Sequence, residues 1–298
     1  MSDKIGMQNK SIKRNISNKI NDWVETIEDD NVKNAIFKDA VVSGGAIASM
    51  LMGDKVNDYD VYFRTQETTK LVAEYYIKKF KEQNQNSPDI EVRIETHENI
   101  RGKTEERVMM FIKGVGVGRS DDFPISEEDF DINKLDTDVK YRPVYISENA
   151  ITLTHQLQIV TRFYGTPSEI HENYDFIHTK CYFDYGVQSL VTPLESVRAT
   201  QSKTLVYEGS LYPLATLFRI RKFINRGWRI NAGEILKIAL QISNIDLLDS
   251  KTLRSQLVGV DVVYFNMLLT RLEALDKGED GRLQMDYVVN LINEIFGD

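Results

Sequence analysis

The stretch Val41 to Phe63, VVSGGAIASMLMGDKVNDYDVYF, decides how the chain is read. It opens as a short apolar strand, turns through Ser43-Gly44-Gly45 and continues as an apolar helix. A second turn at Gly53 leads into a strand that opens with Asp58 and Asp60. Side chains at i and i+2 of a strand point to one side. Asp58 and Asp60 are therefore expected to present two carboxylates together, with Tyr59 and Val61 facing the opposite layer. Two carboxylates held that close repel unless a cation sits between them. Hard oxygen donors of this kind suit Mg²⁺, which takes one or two carboxylates plus phosphate oxygens. The Ser43-Gly44-Gly45 turn lies at a helix N-terminus, where unsatisfied N–H groups and the helix dipole favour a phosphate. Taken singly, Gly-Gly reads as a turn and Asp-x-Asp as solvated surface; their spacing joins them into a pattern suited to metal-dependent chemistry on a nucleotide.

The rest of the composition sets bounds. At 298 residues the chain can hold one large domain or two ordinary ones, with a real core. A hydrophobic share of 42% and a charged share of 28% are those of a globular protein. Lys+Arg 37 against Asp+Glu 45 gives a net charge of −8, which argues against a surface that wraps a long nucleic acid. It favours a small substrate, a protein substrate or a local basic groove. No signal-peptide pattern and no apolar run of membrane-spanning length occurs, and the single Cys181 fits a reducing compartment, so a cytoplasmic location is expected.

Outward from the motif, apolar spacing predicts a helix over Ile16 to Ile27 and another over Thr68 to Gln83. Strands are expected at Asp89 to Glu95, Arg107 to Ile112, Pro143 to Ile146, Ala150 to Thr154 and Leu157 to Phe163. The acidic, turn-rich segment 119–140 reads as a surface excursion or lid. Thr166-Pro167-Ser168-Glu169 reads as a helix start, with a helix to about Asn173 and a strand Phe176 to Phe183 after it. From about Pro193 the pattern is helical, over Leu211 to Asn225, Ala232 to Ile242, Lys251 to Val258, Val262 to Leu275 and Met285 to Phe296. The expectation is an α+β protein with a mixed-sheet head over 1–190 and a helical C-terminal domain over 191–298.

In order and interval, Gly44-Gly45, Leu51-Met52-Gly53 and Asp58-Tyr59-Asp60 resemble the head motif of the DNA polymerase beta-like nucleotidyltransferase superfamily, most closely its tRNA CCA-adding enzymes and poly(A) polymerases. Ala48-Ser49 stands where those enzymes carry Arg-Asp early in the helix, so the resemblance carries the superfamily and not the substrate. The Ala150 to Asp184 region and the Arg-Gly-Trp segment are also similar to nucleotidyltransferase-like proteins of large tailed phages. The resemblance implies transfer of a nucleoside monophosphate from a nucleoside triphosphate to an acceptor hydroxyl, an RNA 3′ end such as that of tRNA being favoured, with two Mg²⁺ ions and release of pyrophosphate. Asp58 and Asp60 would bind both metals, and Ser43, Gly44 and Gly45 would hold the triphosphate. The competing reading keeps the scaffold without the catalysis, as a nucleotide-binding or protein-interaction module.

Two-metal phosphoryl transfer calls for a third acid. Asp175, in Tyr174-Asp175-Phe176-Ile177, is favoured as catalytic residue and metal ligand, with Asp184 at the other end of the same expected strand as its rival. Phe218 to Ile230 concentrates Arg219, Arg221, Lys222, Arg226 and Arg229, and Arg219 and Lys222 are read as triphosphate helpers or as a solvated helix face. His178 and Cys181 lack a second pair at zinc spacing, and the Gly-rich segment 113–118 lacks the Lys-Ser/Thr end of a P-loop.

Overall fold

The computed structural model describes residues 6–83, 89–99, 102–112, 139–257 and 283–296. The expectations for segments 119–138, 113–118 and 262–275 lie outside the described residues. The chain forms two compact units, one of described residues up to Thr204 and one from Leu205 onward.

In the first unit, α1 (Asn9–Glu25) buries Ile12, Ile16, Ile20 and Trp23, spaced to form one stripe. Asp29 caps α2 (Asp30–Asp39) by accepting from the backbone N–H groups of Asn31 and Val32. The chain passes directly from α2 into β1 (Ala40–Ser43), all four residues of which are buried. Then come α3 (Gly45–Met52), ended by Gly53 in the left-handed region at φ 68°, and β2 (Tyr59–Phe63). After α4 (Gln66–Gln83), β3 (Ile90–Glu98) and β4 (Thr104–Ile112) make a separate antiparallel ribbon. Three more strands follow: β5 (Pro143–Ile146), β6 (Ala150–Leu153) and β7 (Leu157–Tyr164). His155 and Gln156 both take positive φ, as the two-residue turn between β6 and β7 requires. Beyond α5 (Pro167–His171) lie β8 (Tyr182–Asp184), β9 (Ser189–Val191) and α6 (Leu194–Gln201).

The seven strands of the main sheet run in the order β5-β6-β7-β2-β1-β8-β9. All ladders are antiparallel except β2 with β7, whose parallel pairing needs the long crossover through α4 and the ribbon. Register sorts the faces. Val42 lies opposite Val61 on one side and Phe183 on the other, and Val61 opposite Ile159; all four are buried in the main core with α1, α3 and α4. Ser43, Asp60, Gln158 and Tyr182 share the other face.

The expected strand Phe176 to Phe183 is corrected by the structure. Residues Ile177–Thr179 form a 3₁₀ turn, and the strand begins only at Tyr182. The Thr179 hydroxyl donates to the Phe176 carbonyl at 2.7 Å, and the Thr179 and Cys181 carbonyls accept sideways from Gly44 N–H and the Ser43 hydroxyl. Backbone groups used in this way are lost to a ladder.

The second unit contains α7 (Pro213–Asn225), α8 (Ala232–Ile242), α9 (Ser250–Gln256) and α10 (Met285–Phe296). Leu214, Leu253, Leu257, Leu283, Val288 and Leu291 form its core. A two-residue strand pair, Thr204–Leu205 with Arg229–Ile230, interrupts the expected all-helical pattern. Gly227 at φ 81° reverses the chain there, and Trp228 is buried against Phe223. No described helix is long and apolar enough to cross a membrane.

Candidate functional site

The site face is built where β1 ends and β2 begins. Ser43 is in register with Asp60, and Asp58 lies just before β2, exposed, on the same side as Asp60. Both carboxylates bear on the phenol of Tyr62, the next residue along that face, and help hold its ionisation above the ordinary range behind the larger effect of burial.

Gly44 is fixed by two constraints. Its φ of 97° and ψ of −151° lie in a region open essentially to glycine alone. A Cβ there would also sit 2.7 Å from Asp60 Oδ2. The Asp60 carboxylate thus lies directly against the glycine turn that opens α3. Gly45 has open space where a Cβ would stand, and the first amides of α3 have no intrahelical acceptor.

The Ser43 side chain is turned inward. It is fully buried; its hydroxyl donates to the Cys181 carbonyl at 3.0 Å and lies 2.9 Å from His171 Nε2. A hydroxyl has one proton, so the bond to Cys181 makes Ser43 the acceptor from His171 Nε2–H. Ser43 therefore ties β1 to α5 and β8, and the phosphate-facing part of the turn is backbone.

The third acid does not gather where expected. Asp175 is buried at a bend after α5 and not at the head of a strand. Asp184 pairs with Arg64 and lies in register with Val41, two residues along β1 from Ser43. Its oxygen also accepts from the Val187 N–H at 3.3 Å. Among the described residues no group of three or more His, Cys, Asp or Glu side chains is arranged to hold a metal, so neither acid completes a three-carboxylate set with Asp58 and Asp60. The residue opposite Asp60 on the adjacent parallel strand is Gln158, an amide. A divalent cation fits the Asp58–Asp60 carboxylates as a two-carboxylate site with hard oxygen donors.

Sequence reasoning missed Tyr174 and His171. Their rings meet with centroids 5.0 Å apart, and Tyr174 leans on Tyr62 at 6.1 Å. Only Tyr62, two residues from Asp60, carried a readable signal. Arg219 and Lys222 lie on α7 in the second unit. Burial drives the Cys181 thiol up to about 12 and His178 down to about 4, which leaves both neutral and unsuited to metal ligation.

A family model described as Gabija anti-defense 2 family protein, Gad2, matches residues 14–203. A curated relative, Gabija anti-defense 2 of Bacillus phage SPbetaL7, is 20% identical over 270 residues, covering 87% of this chain and 53% of that protein. The chain thus spans about half the length of that relative. Among solved structures, the Thermotoga maritima CCA-adding enzyme complexed with tRNA overlaps at 14% identity, 84% of this chain and 52% of its own, with a TM-score of 0.38. The Bacillus stearothermophilus CCA-adding enzyme in complex with CTP gives 13% identity, 85% and 51% coverage and a TM-score of 0.36. At such scores the overlap is loose, and the fold described above stands on its own strand order and register. The Gad2 match takes in every strand of the seven-stranded sheet, with Asp58 and Asp60, and this chain belongs to the Gabija anti-defense 2 family.

Proposed function

We propose that this chain is a phage-encoded nucleotidyltransferase that binds a nucleoside triphosphate with Mg²⁺ at the Asp58–Asp60 edge and acts in the host cytoplasm against Gabija defence. The observation that carries the reading is the Asp60 carboxylate set against the Gly44 turn, where an added Cβ would come within 2.7 Å of it. Asp58 and Asp60 would hold the cation, which when bound neutralises charge on the phosphate oxygens. The Gly45 and Ala46 amides at the start of α3 would accept the phosphates by N–H donation and helix dipole. Arg219 and Lys222 enter as helpers on the strength of the sequence pattern alone. An acceptor hydroxyl, an RNA 3′ end being the first to try, would attack the α-phosphorus in line, and pyrophosphate would leave.

A second reading has its own observation. Gln158, in register with Asp60, brings neither charge nor a proton acceptor to the cation. That favours a binding module that captures a nucleotide without turning it over.

One experiment separates the readings. The chain and its Asp58→Ala/Asp60→Ala double variant are incubated with labelled triphosphates, Mg²⁺ and host RNA or lysate, and both are expressed in Gabija-bearing cells challenged with phage. Label transfer and protection by the wild type, both lost in a folded double variant, are expected. Protection without label transfer in the wild type assigns the binding module, and protection retained by the double variant removes the site from the function.

A further inference from the structure

Tyr174 carries a group that the fold does not use. Its hydroxyl is buried and has no hydrogen-bond partner, although the ring edge reaches solvent. Buried hydroxyls without partners are rare because the desolvation cost is not recovered. The ring is held on two sides, by His171 and by Tyr62. Behind it, the Thr166–Glu169 capping box and Pro167 fix the start of α5. The hydroxyl faces the Asp60 end of the sheet. Burial first, and the Asp60 charge second, push its ionisation up, while the hydroxyls of Ser43 and Tyr62 pull the other way without closing a well-formed bond to it. Ser43 is itself already occupied by Cys181 and His171. A phenol kept protonated beside a cation-binding carboxylate can only donate to what binds there.

We propose that the Tyr174 hydroxyl is a ligand-contacting donor of the Asp58–Asp60 site, reserved for a phosphate oxygen of the bound nucleotide. The inference rests on the reading of that edge as a nucleotide site. The donor is preset in a dry setting, where a hydrogen bond to an oxyanion is stronger than in water and needs little reorganisation. It also accounts for an unpartnered hydroxyl kept beside the site.

The test is Tyr174→Phe, which removes the hydroxyl and leaves the ring. Calorimetric titration with each ribonucleoside triphosphate plus Mg²⁺, with inorganic phosphate and with the bare nucleosides is run beside thermal melting. The variant is expected to melt at or above the wild-type temperature, since no bond is lost, and to bind the triphosphate about tenfold more weakly. Inorganic phosphate weakened as much as the triphosphate places the contact on phosphate itself; nucleosides should be unaffected. Unchanged triphosphate affinity, or a lowered melting temperature with that affinity retained, overturns the proposal. Asp60→Asn separates the two levels. If it too leaves affinity unchanged, the nucleotide site itself falls; if it abolishes binding while Tyr174→Phe does not, only the role of Tyr174 falls.

Discussion

Strand β1 has a different neighbour on each side, and the two flanks are built to opposite ends. Toward β2, acids sit at the rim: Asp58 is exposed, Asp60 half-buried, and the glycine turn leaves room for the Asp60 carboxylate. Toward β8, the acid is taken inside, where Asp184 is paired with Arg64 and bonded to the Val187 N–H. His171, Ser43 and the carbonyls of Thr179 and Cys181 are locked together on that side. A carboxylate held by a guanidinium in the interior organises the chain around it. A like-charge pair at a sheet edge gains most from a cation that arrives from solvent. One flank is for rigidity and the other for a ligand.

Paired variants put the most weight on this contrast. Gly44→Ala forces a side chain into a conformation essentially reserved for glycine and drives the Asp60 carboxylate away. The expected cost is about 2–3 kcal/mol of stability, with triphosphate affinity reduced about tenfold or more. Asp184→Asn strands Arg64, whose side chain is 31% exposed and so partly screened. It should cost about 1–2 kcal/mol and leave affinity alone. Denaturant melts and nucleotide titration on both proteins check this; an affinity loss in Asp184→Asn would erase the distinction between the flanks.

The two flanks also differ in how far they could be read beforehand. The β1–α3–β2 segment is specified locally, by glycines at the two turns and period-two alternation in the strands, so its plan was legible residue by residue. The β8 flank was not. Phe176, Ile177, Cys181 and Phe183 carry strand-like apolar content, but their conformation is set by Ser43 and Gly44, more than 120 positions away in sequence. The pairing of Asp184 with Arg64, and the Gln158 that faces Asp60, likewise exist only once the strand order does. In α1, Ile16 and Ile20 were read as core, whereas Trp23 and Ile12 complete the stripe and Val24 sits at its rim.

A pH titration probes the rigid flank with a somewhat smaller effect. His178, in the 3₁₀ turn, is held by burial at about 4, below its ordinary value near 6.5. The unfolded chain therefore binds a proton that the folded chain refuses between those values, so stability is full above the unfolded value and falls as pH drops below it. From pH 6.5 to 5 the loss should approach about 2 kcal/mol. His178→Leu should flatten that part of the profile. A slope that survives the substitution assigns the acid sensitivity elsewhere.

The smallest effect tests whether the rigid flank serves the ligand flank. Thr166 caps α5: Glu169 Oε2 accepts from the Thr166 N–H at 2.7 Å and from its hydroxyl at 2.8 Å, and these bonds, the backbone one first, hold the Glu169 carboxyl below its ordinary range. A depressed carboxyl stabilises above its unfolded value and loses that contribution as pH falls through its folded value. Thr166→Ala removes the hydroxyl bond and the return bond to the Glu169 N–H, at a cost of about 1 kcal/mol. In an NMR titration the Glu169 carboxyl should move upward while the backbone bond keeps part of the depression. Because α5 positions His171 and Tyr174, triphosphate binding should weaken by a few-fold at most, and less than in Tyr174→Phe. Thr166→Ala with the Glu169 shift abolished and binding untouched would show that the two flanks of β1 are mechanically independent.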